Sequence, residues 1–86
     1  MGTSTAPSYD AGFMAQLGER LRELRLRAGL SASEAGKRAN VSRTMWADYE
    51  AGRRPNPTIS TVAAMASALG VTLVELLEGV EVDTNL

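Results

Sequence analysis

The sequence predicts an all-α fold of five short helices around one small core, and three observations carry that reading. Leu17, Leu21 and Leu24 recur at spacings of four and three, which is one face of a helix. Ser31 with Glu34 and Thr72 with Glu75 form two capping boxes, in which a hydroxyl and a carboxylate each satisfy a free backbone N–H at a helix start. Between Ala39 and Arg43 lie only Asn40, Val41 and Ser42, so the helices on either side must meet through a tight turn and cross steeply.

Taken in order, residues 1–9 are small, polar and interrupted by Pro7, and they carry no Lys or Arg. They read as a flexible arm rather than a binding element. Asp10 is placed to cap the first helix, which extends to about Ala28 before Gly29, with Glu19, Arg20, Arg22 and Glu23 forming a solvated face opposite the leucines. The second helix follows Ser31, turns Ala35, Gly36 and Ala39 inward, and stops at Asn40, a residue that tolerates the left-handed conformation. At so short a crossing the backbones nearly touch, and Gly36 meets that demand. Ser42 caps the third helix, which runs from Arg43 to about Ala51 and ends at Gly52.

Two prolines in the next segment, RRPNPT (53–58), stop any helix and stiffen the loop. Thr58 caps a fourth helix from Ile59 to Leu69, expected to bury Ile59, Val62, Met65, Ala66 and Leu69 before Gly70. The fifth, short helix holds Leu73, Val74, Leu76 and Leu77. Four apolar positions in five leave no polar face, so one side must be covered by something else. The expected organisation is an arm at 1–9, one domain at 10–79 and a tail at 80–86, whose Val80, Val82 and Leu86 either extend that apolar surface or fray.

Composition bounds the chemistry. Eighty-six residues make one small domain, and without cysteine or histidine there are no disulfides, no thiol or imidazole nucleophiles and no zinc site built on those ligands. Carboxylate-only chemistry remains formally open, but no nucleophile and base pair can be assembled without His, Cys or clustered carboxylates, so an enzyme is not expected, nor are a metal, a cofactor or a small-molecule ligand. The N-terminal region has no long apolar run, hence neither signal peptide nor membrane span, and a cytoplasmic protein is expected. The formal net charge of −1 conceals a polarised chain. All nine basic residues lie between Glu19 and Arg54, against five acidic ones there, a local excess of four; from Pro55 onward there are four acidic residues and no basic one.

The segments LGERLRELR (17–25), NVSRT (40–44), YEAGRRPNPT (49–58) and ALGVTLVELL (68–77), in this order and spacing, resemble the Cro/CI-type, or XRE-like, helix-turn-helix regulators of bacteria and phage. The resemblance covers most of the chain, about Leu17 to Leu77. It implies a compact five-helix, lambda-repressor-like domain that binds double-stranded DNA as a homodimer, with the third helix in the major groove. It also implies that Arg25 pairs with Glu50 in a largely buried ion pair. Ala35 stands where the family usually has leucine and Trp46 where it has isoleucine or valine, a volume swap that places the indole in the core, with Tyr49 on the same inward face.

The outward residues of the third helix are then Arg43, Thr44, Ala47 and Asp48, candidates for base contacts, with Arg43 foremost because a bidentate arginine reads guanine. Asp48 has two open readings: it accepts from cytosine, or it pairs with Arg43 or another basic neighbour. Phosphate contacts are expected from Ser33, Lys37, Arg38, Ser42, Arg53, Arg54, Asn56 and Thr58. Where the family commonly has glutamine at the start of the second helix this chain has Ala32, and Ser33 or the helix N–H groups would take its place. In the family the last helix often pairs with its counterpart, which makes Leu73, Val74, Leu77 and Val80 the expected dimer surface. ArgThr at 43–44 also resembles the controller proteins of restriction-modification systems. The alternative is a protein-interaction module on the same fold, such as an antitoxin or adaptor.

Overall fold

The computed structural model describes residues 9–54 and 57–81, so the expected arm, all but its last residue, and the end of the tail lie outside the described residues. Five helices follow in order: α1 (Tyr9–Arg27), α2 (Ala32–Ala39), α3 (Arg43–Glu50), α4 (Ile59–Ala68) and α5 (Leu73–Leu77). No strand occurs among the described residues. The first helix takes in Tyr9, so it begins ahead of Asp10 rather than at it.

The caps form as their sequences require. Ser31 accepts from the Glu34 N–H at 3.0 Å while the Glu34 carboxylate accepts from the Ser31 N–H at 2.8 Å. Thr72 and Glu75 repeat the arrangement at 3.0 and 2.8 Å. Ser42 and Thr58 each accept from the N–H three residues on. Asn40 takes the left-handed conformation, φ 60°, that turns the chain out of α2.

One core joins all five helices. Leu17, Leu21, Trp46, Met65 and Leu76 are its largest fully buried side chains, and Ala35 beside them is also fully enclosed. Both members of the inferred volume exchange, Ala35 and Trp46, are therefore inside, as is Tyr49. α2 packs on α3 and α4, α1 on α3 and α5, and α4 on α5. Two of these crossings are set by glycine. A Cβ at Gly36 would lie 2.8 Å from the Val41 carbonyl oxygen, so the turn between α2 and α3 closes against bare backbone. A Cβ at Gly18 would meet the Tyr49 carbonyl oxygen at 2.6 Å, so α1 is seated directly on the last turn of α3. Gly36 is explicable from the short connection; Gly18 depends on a contact between residues distant in sequence.

Two expectations need correction. Ile59 is 68% exposed, because the first residue of α4 overhangs the packed face that begins at Val62. Arg20 is not part of a solvated face: its Nη2 donates to the Glu75 carbonyl at 2.9 Å and its Nη1 to Glu23 at 3.1 Å, fastening α5 across α1. Gln16 adds a second fastening, since its amide both donates to the Glu81 carbonyl at 3.0 Å and accepts from the Glu81 N–H at 2.8 Å.

The capping carboxylates carry a pH dependence. Bonding to the backbone N–H of Ser31, and then to its hydroxyl, holds Glu34 below the ordinary carboxylate range, and Thr72 does the same to Glu75. A depressed folded value means stability that is present above the unfolded value and lost as the pH falls through the folded one. Glu34→Gln together with Glu75→Gln should therefore be less stable than wild type at neutral pH. In urea titrations across pH, the difference should shrink below the carboxylate range and vanish once both carboxyls are protonated.

Candidate nucleic-acid interface

The site begins with the short α3. Eight residues form no stable helix alone in water, so its orientation is imposed by packing and caps. With Trp46 and Tyr49 buried, the helix period leaves Arg43, Thr44 and Ala47 exposed and Asp48 half-exposed at its edge. All four expected outward residues share that outer side.

The inner side is fixed by Glu50. Its carboxylate accepts from Arg25 Nε at 2.5 Å and Nη2 at 3.0 Å, a bidentate pair with side chains only 13% and 10% exposed. The remaining Arg25 Nη1 donates to the Leu30 carbonyl at 2.9 Å. Trp46 Nε1 donates to the same Glu50 oxygen that Arg25 Nε engages. This last bond was missed at the sequence level, although the spacing of four from Trp46 to Glu50 would have allowed it. Hydrogen bonding to Glu50 raises the Arg25 guanidinium above its already high value.

Around α3 the cations fall into two groups. Lys37 and Arg38 are exposed at the end of α2, and Arg53 and Arg54 are exposed after Gly52. Among the described residues no carboxylate forms an ion pair with Lys37, Arg38, Arg43 or Arg54. Arg54 lies over the Tyr49 ring, 6.0 Å from its centroid, at the outer limit of a cation–π contact. Arg53 turns to Asp48, with Nη1 3.4 Å from Oδ1.

Hydroxyls complete the rim. Ser33 and Ser42 are exposed near the starts of α2 and α3. Thr58 is exposed at the start of α4, joined at 3.2 and 2.9 Å to the Ser60 and Thr61 hydroxyls, neither of which the sequence reading had singled out. Ala32 packs against the core and offers the surface nothing. Asn56 lies outside the described residues. On α5 and just after it, Val74 is 77% exposed while Leu73, Leu77 and Val80 are half-buried.

Glu50→Ala should destabilise the protein more than Arg25→Ala. The first leaves the Arg25 guanidinium only the Leu30 carbonyl and takes the acceptor from the indole N–H as well, whereas the second leaves Glu50 its Trp46 donor. Removing one partner of a largely buried pair costs about 3–5 kcal/mol. Chemical denaturation should place Glu50→Ala at or beyond the upper end and Arg25→Ala below it; the reverse order would show that Trp46 does not depend on Glu50.

Comparison with known proteins places this geometry. The family described as a helix-turn-helix domain matches residues 16–78. The HTH-type transcriptional regulator DdrOP3 of Deinococcus deserti is 44% identical over 66 residues, covering 77% of this chain and 50% of that protein. The immunity repressor protein of Bacillus phage phi105 is 38% identical over 55 residues, covering 64% of this chain and 38% of the repressor. The chain thus spans half or less of the length of these two relatives. Among solved structures, the restriction-modification controller protein C.AhdI from Aeromonas hydrophila superposes with a TM-score of 0.70 at 32% identity, over 73% of this chain and 94% of the controller. The capped α2–α3 unit, the buried Arg25–Glu50 pair and the match over residues 16–78 agree: this chain belongs to the XRE-like, Cro/CI-type helix-turn-helix family, which is not a family of enzymes.

Proposed function

We propose that this chain is the DNA-binding part of a sequence-specific transcriptional regulator, a repressor or controller working in the cytoplasm. It binds a palindromic operator as a homodimer. One observation carries the reading: Arg43, Thr44 and Ala47 are exposed on α3, and the segments that lead into and out of that helix carry exposed cations, Lys37 and Arg38 at the end of α2 and Arg53 and Arg54 after Gly52. A helix so flanked fits the major groove, with the cations over the phosphates. Base readout falls to Arg43 and Thr44, since arginine pairs with guanine O6 and N7 while threonine meets either a base edge or the thymine methyl. The hydroxyls of Ser33, Ser42 and Thr58, the side chain of Asn56 and the N–H groups opening α2 and α4 supply further phosphate contacts. Relatives named as a transcriptional regulator, an immunity repressor and a controller protein support the reading.

The dimer would form through α5. Val74 with Leu73, Leu77 and Val80 offers an apolar surface whose self-association would set two copies of α3 about 34 Å apart, one helical turn of DNA. Because Val74 contributes almost nothing to the protomer core, Val74→Asp should leave the thermal transition of the protomer nearly unchanged while yielding a monomer in sedimentation equilibrium. A Val74→Asp protein that stays dimeric would remove α5 from the interface.

Arg43→Ala should weaken binding to an operator selected from a random pool by about 1–3 kcal/mol and relax preference at one base pair. Arg54→Ala should weaken binding to every duplex and reduce the salt slope by about one. Titrations at several salt concentrations separate the two roles; an Arg43→Ala protein that discriminates as well as wild type would overturn the base-reading assignment.

A further inference from the structure

We infer that Asp48 is the internal counter-ion of Arg53 rather than a base reader, and that it lowers the affinity of the protein for DNA of any sequence. This deepens the functional reading above and rests on it. The geometry is local and reciprocal. After Gly52, at φ 73°, the chain doubles back along the last turn of α3, and the Arg53 N–H donates to the Asp48 carbonyl at 2.9 Å. That backbone bond fixes the Arg53 Cα beside Asp48, and the guanidinium then reaches the Asp48 carboxylate, Nη1 to Oδ1 at 3.4 Å.

The two ends of the pair are unequal. The Asp48 side chain is 28% exposed and the Arg53 side chain 74%. The anion is anchored against the protein and the cation faces outward, free to exchange its carboxylate for a phosphate. The neighbouring arginine differs: Arg54 lies over the Tyr49 ring and meets no carboxylate among the described residues. Position argues the same way. In helix-turn-helix proteins the N-terminal residues of the reading helix reach base edges, and Asp48 stands a full turn beyond Thr44 with Oδ1 facing Arg53.

An exposed pair of this kind is worth at most about a fivefold factor in an equilibrium. The test uses the full chain with two probes, a short duplex of random sequence and the duplex enriched from a random pool by selection. Asp48→Asn should tighten binding to both by the same factor, about two- to fivefold, with base preferences unchanged, and the gain should disappear in an Arg53→Ala background. Lost discrimination at a single C·G pair would show that Asp48 reads a base, and equal gains with and without Arg53 would reduce its role to bare repulsion of phosphate. No change on either probe also overturns the inference. If wild type binds neither duplex at low salt, the DNA-binding reading itself falls, an outcome separable from the other three because it appears before any substitution is made.

Discussion

The structure turns on the Glu50 carboxylate. α3 is too short to hold its own shape, and the side that must face outward is determined by what holds the inner side. Glu50 gathers Arg25 from α1 and Trp46 from one turn earlier in α3, so a single acceptor fixes the roll of the helix and its attachment to the scaffold. Gly18 explains why the approach is close enough: α1 lies directly on the carbonyls at the end of α3, and a methyl group there would lift it away. Burial of a charge pair is poor evidence of net stabilisation, since desolvation offsets much of the attraction. Its value here is directional, because the observed placement of α3 satisfies both donors and encloses Trp46 completely.

Much of this was legible in the sequence, and what was legible is local. Both capping boxes, the left-handed Asn40, the need for Gly36 and the inward leucines of α1 depend on residues within seven positions of each other, where helix and turn geometry set the distances. The family resemblance supplied the one long-range contact foreseen, Arg25 with Glu50. Long-range contacts outside that resemblance were not readable. Arg20 reaches the Glu75 carbonyl and Gln16 the Glu81 backbone across 55 and 65 positions, and no periodicity marks a polar residue on α1 as a fastening for α5. Ile59 failed for another reason. Residue type predicts that an isoleucine prefers the interior, but at the first position of a helix the neighbouring element decides whether there is an interior to enter.

The candidate site was legible as a set of residues more than as an arrangement. That Arg43, Thr44, Ala47 and Asp48 share the outer side of α3 follows from the helix period once Trp46 and Tyr49 are inside. Which cation Asp48 meets does not follow, because Arg43 and Arg53 are each five positions away, on opposite sides in sequence. The left-handed Gly52 settles it by folding Arg53 back onto the last turn.

The same bookkeeping of carboxylates explains how a chain of formal net charge −1 can present a cationic surface. Glu50 is enclosed by Arg25 and Trp46, Glu34 and Glu75 are committed to the caps of α2 and α5, and Glu23 and Glu78 lie with Arg20 and Arg27 on the α1 and α5 side. Each of these anions counts fully in the sum, yet Glu50 is paired in the interior and Glu23 and Glu78 are paired on α1 and α5, while Glu34, capping α2, lies within Coulombic reach of Lys37 and Arg38. The cations beside α3 form no ion pair among the described residues: Lys37, Arg38, Arg43 and Arg54 are exposed to solvent. An anionic partner within a Debye length of that face, about 8 Å at physiological salt, responds to these four charges, to Glu34 beside two of them and to Arg53 with its counter-ion, not to the total over the chain. Net charge is therefore the wrong quantity by which to judge such a protein; what matters is which carboxylates the fold has already engaged.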